Sequence, residues 1–202
     1  NWQKNEIGFR LNQPHLLLCK YIDSLNLEKN NRIFLPLCGK SLDIHWLLAQ
    51  GYHLIGIDLS PIAIEELMAE LAIPFTERKL EKLTHYHHPQ IDLFVGDFFE
   101  LTSSHIGKID AIYDRAALVA LPEEMRTDYA QHLMQISNQA TQLLISFEYD
   151  QSVMAGPPFS ISPQQLKDYY SKQYQLQLLD SQTELLKGKV DAEEKIWLLK
   201  PY

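Results

Sequence analysis

Arg32 to Ser60, RIFLPLCGKSLDIHWLLAQGYHLIGIDLS, decides the fold. Arg32 to Leu37 is a short apolar run of strand length that ends at Cys38-Gly39. Ser41 to Gln50 follows with helical spacing, placing Leu42, Trp46 and Leu47 on one face, and Gly51 stops it. His53 to Ile57 is again strand-like. A strand, a helix and a second strand within roughly thirty residues form a βαβ unit, the crossover that two parallel strands require.

The same alternation extends outward. Ser60 is placed to cap a helix that starts with Pro61 and runs to about Leu71. Ile91–Val95, Ile109–Tyr113 and Leu143–Glu148 are three further strand-like runs, and a helix starts at Pro122 and continues to about Gln139. Repetition of strand and helix predicts an α/β, Rossmann-like chain with a parallel sheet and helices on both faces. The tail breaks the pattern. After a helix over Pro163–Gln173, two strands at Gln175–Asp180 and Glu194–Lys200 have no helix between them, which predicts an antiparallel edge hairpin. The expected sheet is therefore mostly parallel, seven-stranded and antiparallel in its last strand. With 202 residues, 46% of them hydrophobic, one domain over 1–202 is expected.

Composition narrows the function. A net charge of −8 opposes nucleic acid as a partner. No apolar run approaches the ~20 residues of a membrane span, so no membrane partner is expected. The two cysteines, Cys19 and Cys38, form no Cys-x-x-Cys. With no visible signal peptide, they fit a reduced, cytoplasmic setting. Nothing demands more than a monomer.

Sheets of this kind bind ligands beyond the carboxyl ends of their strands, near the point where strand order reverses. That rule selects Leu37 to Lys40, Asp58, Asp97 and Asp114-Arg115. Gly39 lets backbone approach a ligand closely, although a plain tight turn explains it as well. Asp58, about twenty residues on, can accept from both hydroxyls of a ribose, or can serve as a helix N-terminal charge. Asp97 and Phe98 offer an adenine-side contact with Phe98 as an apolar wall, while Phe99 is assigned to the core. Arg115 can pair with a carboxylate or steady an anionic substrate, or can form an ion pair with Asp114 or another acid. Phe159, in the stiff Gly156-Pro157-Pro158-Phe159 loop, can wall a substrate pocket. His85, His87 and His88 alternate on a polar segment read as a solvated edge, so no metal is expected. Cys38 has no partnered histidine and is not assigned as a nucleophile.

Several of these stretches together resemble the thiopurine S-methyltransferase family, in its bacterial form. They are WQKNEIGF (Trp2–Phe9), LPLCGKS (Leu35–Ser41), GIDLS (Gly56–Ser60), IYDRAALVAL (Ile112–Leu121) and GPPF (Gly156–Phe159). The resemblance runs in order over nearly the whole chain. It implies a class I methyltransferase fold and S-adenosylmethionine as cofactor. It also implies methyl transfer to the sulfur of aromatic or heterocyclic thiols such as thiopurines, with selenium or tellurium compounds as the alternative acceptors. A non-catalytic S-adenosylmethionine-binding protein is the more distant reading, and a nicotinamide oxidoreductase is disfavoured by the missing G-x-G-x-x-G. By resemblance, Trp2 in an arm over 1–12 covers the cofactor, Leu37 and Gly39 form its loop, and Asp58 stands where the family usually has glutamate on the ribose. Asp97 and Phe98 supply backbone contacts beside the adenine. Arg115, the expected catalytic residue, lies near the methionine end and the acceptor, and Phe9 is on the substrate side.

Overall fold

The computed structural model describes residues 13–39 and 42–202. Among the described residues, nine strands form one sheet: β1 (Arg32–Leu35), β2 (His53–Asp58), β3 (Thr76–Lys79), β4 (Thr84–His88), β5 (Ile91–Val95), β6 (Ala111–Asp114), β7 (Thr141–Glu148), β8 (Tyr174–Leu186) and β9 (Val190–Pro201). Their order is β3-β4-β5-β2-β1-β6-β7-β9-β8. The five central strands, β5 to β7 in that order, are parallel. The chain builds outward from β1 through β2 to β5, then returns to place β6 on the other side of β1. Strand order thus reverses at β1/β6, and the crevice at their carboxyl ends is the natural ligand position.

All seven expected strands are present, and the count is corrected to nine. The two added strands, β3 and β4, form an antiparallel hairpin on β5. Thr76-Glu77-Arg78-Lys79 is exposed throughout and carries no apolar alternation, so periodicity had nothing to register. His85, His87 and His88 lie on β4, one strand in from the edge. The closing hairpin β8–β9 is longer than the sequence suggests and antiparallel, with a bulge at Leu178/Asp180.

Helices cover both faces, because alternate residues of each buried strand point to opposite sides. Ile33, Leu35, Leu54, Leu93 and Leu143 pack on one face beneath α1 (Leu16–Tyr21), α2 (Leu42–Ala49) and α3 (Pro61–Leu71). Phe34, Ile55, Ile57, Phe94, Ile112 and Leu144 pack on the other, beneath α4 (Ser103–Ile106), α5 (Glu123–Ser137) and α6 (Pro163–Tyr170). Ser60 caps α3 by accepting from the Ala63 N–H at 3.2 Å, with Pro61 in the first turn. In α2 the buried residues are Asp43, Ile44 and Leu47 rather than the expected Leu42, Trp46 and Leu47, so a carboxylate sits on the inward face.

Gly96 closes β5 at φ +144°, and its N–H donates to the Asp58 carbonyl at 3.0 Å. A Cβ there would lie 2.6 Å from Leu83 Cδ2 and 3.0 Å from the Lys82 carbonyl. Gly96→Ala is expected to cost about 2 kcal/mol or more through strained backbone and overpacking, read as a lower urea midpoint. An unchanged midpoint contradicts this close fit.

Candidate active site

Three loops meet at the carboxyl end of β2. The Asp58 carboxylate accepts from the Gly39 N–H through Oδ2 and from the Ser60 N–H through Oδ1, both at 2.8 Å. Leu37 and Gly39 have φ of +48° and +52°, so the loop after β1 bends sharply into this contact. A carboxylate offers about four lone-pair directions. With one backbone donor on each oxygen, Asp58 keeps acceptor capacity for a vicinal diol. That donor-hungry group, beside close-approaching backbone at a strand-order reversal, fits the ribose of a nucleoside cofactor.

Cys38 is buried in the same loop, and its backbone N–H donates to the Ile57 carbonyl at 2.8 Å. Gly56 makes room for it, since a Cβ on Gly56 would come within 2.8 Å of the Cys38 sulfur. Burial, then the charge of Asp58, pushes the Cys38 thiol far above its ordinary range. It stays protonated and is no nucleophile.

Asp97 follows β5 and is exposed, and its Oδ1 accepts from the Phe99 N–H at 2.9 Å, capping the 3-10 turn Phe98–Glu100. The two phenylalanines are placed the other way round from expectation. Phe98 is 4% exposed and packs with Phe34 and Tyr129, while Phe99 is 37% exposed. The turn rotates successive side chains out of strand alternation, so the first of the pair faces the core. What Phe98 can present to a ligand is its backbone.

Arg115 emerges after β6. Its side chain is 44% exposed, and its Nη1 donates to Asp43 Oδ2 at 2.7 Å. The acid that partners it is Asp43 on α2, not Asp114. Asp114 is buried and accepts from the Tyr129 hydroxyl at 2.7 Å and from the Ala117 and Leu118 N–H groups. Asp43 is also buried. It accepts from the Tyr113 hydroxyl at 2.9 Å and, through Oδ1, from the His15 N–H at 2.7 Å. Burial alone would lower the Arg115 pKa, but the Asp43 carboxylate, together with Tyr113 and Glu194, raises it. Burial, then Asp43, pushes the Tyr113 phenol well above its usual value, so it remains a donor. Glu194 of β9 adds to this field and accepts from His15 Nε2 and Gln182 Nε2, each at 2.9 Å. Burial favours its neutral form, but these bonds and the charge of Arg115 hold its carboxyl below the ordinary range.

The structure thus brings Leu37, Gly39 and Asp58 into one cradle and gives Arg115 a fixed base. Phe159 is held by other contacts. Its N–H donates to the Val119 carbonyl at 2.7 Å, and the Arg126 guanidinium lies 5.5 Å from its ring centre. Trp2 and Phe9 lie outside the described residues. Sequence reasoning missed Asp43, Tyr113, His15 and Glu194. The one available signal was an aspartate on the apolar-spaced face of α2.

Comparison with known proteins places the chain in a family. The family described as thiopurine S-methyltransferase (TPMT) matches residues 1–200. A thiopurine S-methyltransferase of Acinetobacter baylyi is 50% identical over 185 residues, covering 90% of this chain and 85% of that protein. One from Teredinibacter turnerae is 46% identical over 200 residues, covering 98% of this chain and 93% of that protein. Among solved structures, a SAM-dependent methyltransferase of Methanosarcina mazei superposes with a TM-score of 0.66 at 14% identity, over 93% of this chain and 98% of that one. That last likeness speaks for the fold alone.

Losing the Tyr113 hydroxyl removes one bond to a buried carboxylate, whereas losing Asp43 strands several donors. Tyr113→Phe is expected to cost about 1 kcal/mol, and Asp43→Ala about 2 kcal/mol or more. In thermal melts these correspond to falls in Tm of roughly 2–4 °C and 4–8 °C. Equal Tm for Asp43→Ala and the parent chain contradicts the network.

Proposed function

Because the chain belongs to the thiopurine S-methyltransferase family, whose members are S-adenosylmethionine-dependent methyltransferases, we propose that it methylates the sulfur of aromatic and heterocyclic thiols, thiopurines among them. The observation that carries this reading is Arg115, half-exposed beside the β1/β6 crevice with one edge fixed on the buried Asp43. A guanidinium anchored in this way keeps donors and a full positive charge for an anionic group.

S-adenosylmethionine, when bound, supplies a methyl group on a positively charged sulfur that departs as a neutral thioether. The residues assigned to hold it are Asp58 at the ribose hydroxyls, Leu37 and Gly39 through loop backbone, and Asp97 and Phe98 beside the adenine. A heterocyclic thiol is substantially ionised near neutral pH, so the chain needs no dedicated base. Arg115 orients the thiolate, and apolar side chains, with Phe9 and Phe159 assigned to the substrate side, strip water from it. Trp2, in the arm over residues 1–12, is assigned to cover the cofactor. Holding two reactants in line supplies about 7–11 kcal/mol of the rate enhancement.

The same reading makes the protein a single-domain, cytoplasmic monomer that acts on small molecules and not on nucleic acid. Support comes from the acidic net charge of −8 and from Cys19 and Cys38 both being free thiols. Among the described residues no helix is long and apolar enough to cross a membrane. The edge strand β3 presents Glu77, Arg78 and Lys79 to solvent, and β8 carries Asp180 and Glu184, charges that discourage edge-to-edge pairing.

Three measurements follow. Asp58→Asn is expected to weaken S-adenosylhomocysteine binding in calorimetry by about 10- to 100-fold, as lost charged hydrogen bonds imply. Arg115→Ala is expected to lower kcat/KM for 6-mercaptopurine by about 10- to 100-fold, with Arg115→Lys recovering part of it. Full turnover and unchanged substrate affinity in Arg115→Ala refute its role. Light scattering during gel filtration is expected to give the 23.4 kDa of one chain, and twice that mass contradicts the monomer.

A further inference from the structure

At the opposite end of the sheet from Asp58, three histidine side chains converge around Asp92. Asp92 is the second residue of β5 and is 8% exposed. Its Oδ1 lies 2.7 Å from His85 Nε2 and 2.6 Å from His87 Nδ1, while its Oδ2 lies 2.9 Å from His53 Nε2. His85 and His87 are two apart on β4, so both point to the same face, and β4 pairs with β5 to bring them over the carboxylate. His85 is held by stacking on Phe94, with ring centres 4.3 Å apart and planes within 12°.

We propose that His85, His87 and Asp92 form a binding site for a first-row transition-metal ion of the zinc class. The donor atoms of the three lie within 4.8 Å of one another. Two imidazoles and one carboxylate suit zinc, nickel or copper, and do not suit magnesium or calcium, which take all-oxygen shells. A tetrahedral zinc ion, with bonds of about 2.0–2.1 Å, spaces neighbouring donors roughly 3.3 Å apart, so each imidazole nitrogen moves back from the Asp92 oxygen by about 0.7 Å, with the two imidazole nitrogens already within 4.8 Å of each other. His53 binds the other carboxylate oxygen and fixes its direction, the support that metal-ligating carboxylates usually have. The His87 side chain is 53% exposed, which gives an ion entry and leaves a coordination position for water. Such an ion ties the polar β3–β4 hairpin, which buries little apolar surface, to the central strands. The site is separate from methyl transfer, because it lies at the amino ends of β2 and β5.

The test is calorimetric titration of the metal-stripped full chain with zinc chloride, with magnesium chloride as control, on the parent chain, His87→Ala and His85→Gln. S-adenosylhomocysteine binding by each variant reports an intact fold. The expected result is one zinc per parent chain, no magnesium uptake, and zinc affinity reduced more than about tenfold in each variant that still binds S-adenosylhomocysteine. His87→Ala keeps the test decisive if His85→Gln fails to fold, since His87 is half-exposed. No zinc uptake by the parent chain overturns the proposal, as does uptake of equal affinity in His87→Ala.

Discussion

One carboxylate gathers the working end of this molecule. Asp58 accepts the Gly39 N–H on one oxygen and the Ser60 N–H on the other, and its own carbonyl accepts the Gly96 N–H. The loops after β1, β2 and β5 are therefore tied to a single residue. Each tie depends on a local condition. Gly39 supplies a left-handed turn, Gly96 a backbone where a Cβ would crowd Leu83 and the Lys82 carbonyl, and Ser60 the start of α3. Without that convergence the strand ends would still form a sheet, but not a cradle around a carboxylate with acceptor capacity to spare.

Arg115 depends on the same principle of a buried acid fed by several donors. Asp43 lies inside the protein because the Tyr113 hydroxyl, the His15 N–H and the Arg115 guanidinium all reach it. An unpaired carboxylate in that position would cost several kcal/mol. Asp114 and Asp92 are satisfied in the same manner, by Tyr129 with two backbone N–H groups and by three histidines. Buried acids, one on α2 and two on strands, thus stand at both ends of the sheet. At one end Asp43 fixes the Arg115 guanidinium and Asp114 holds the turn after β6, and at the other Asp92 gathers three histidines.

The central sheet was legible because its strands are buried on both faces and read as apolar runs of the right length. Asp58 and Arg115 were singled out because ligands bind at strand carboxyl ends, and the structure places both there. The β3–β4 hairpin was not legible, since Thr76 to Lys79 is polar and is ordered by its neighbours rather than by its own pattern. The exchange of Phe98 and Phe99 escaped because alternation ends where the strand ends. Asp43 escaped for a different reason. Its partners Tyr113 and Arg115 stand 70 and 72 residues away, and a single sequence carries no signal for a contact of that range.

The central claim is a methyl transfer to a thiol sulfur at the cradle built on Asp58 and Arg115. Its most direct measurement is transfer of labelled methyl from S-adenosylmethionine to 6-mercaptopurine by the parent chain, beside a reaction without acceptor. Labelled S-methyl product that requires the thiol is the expected result. Intact S-adenosylhomocysteine binding with no thiol-dependent product contradicts the claim.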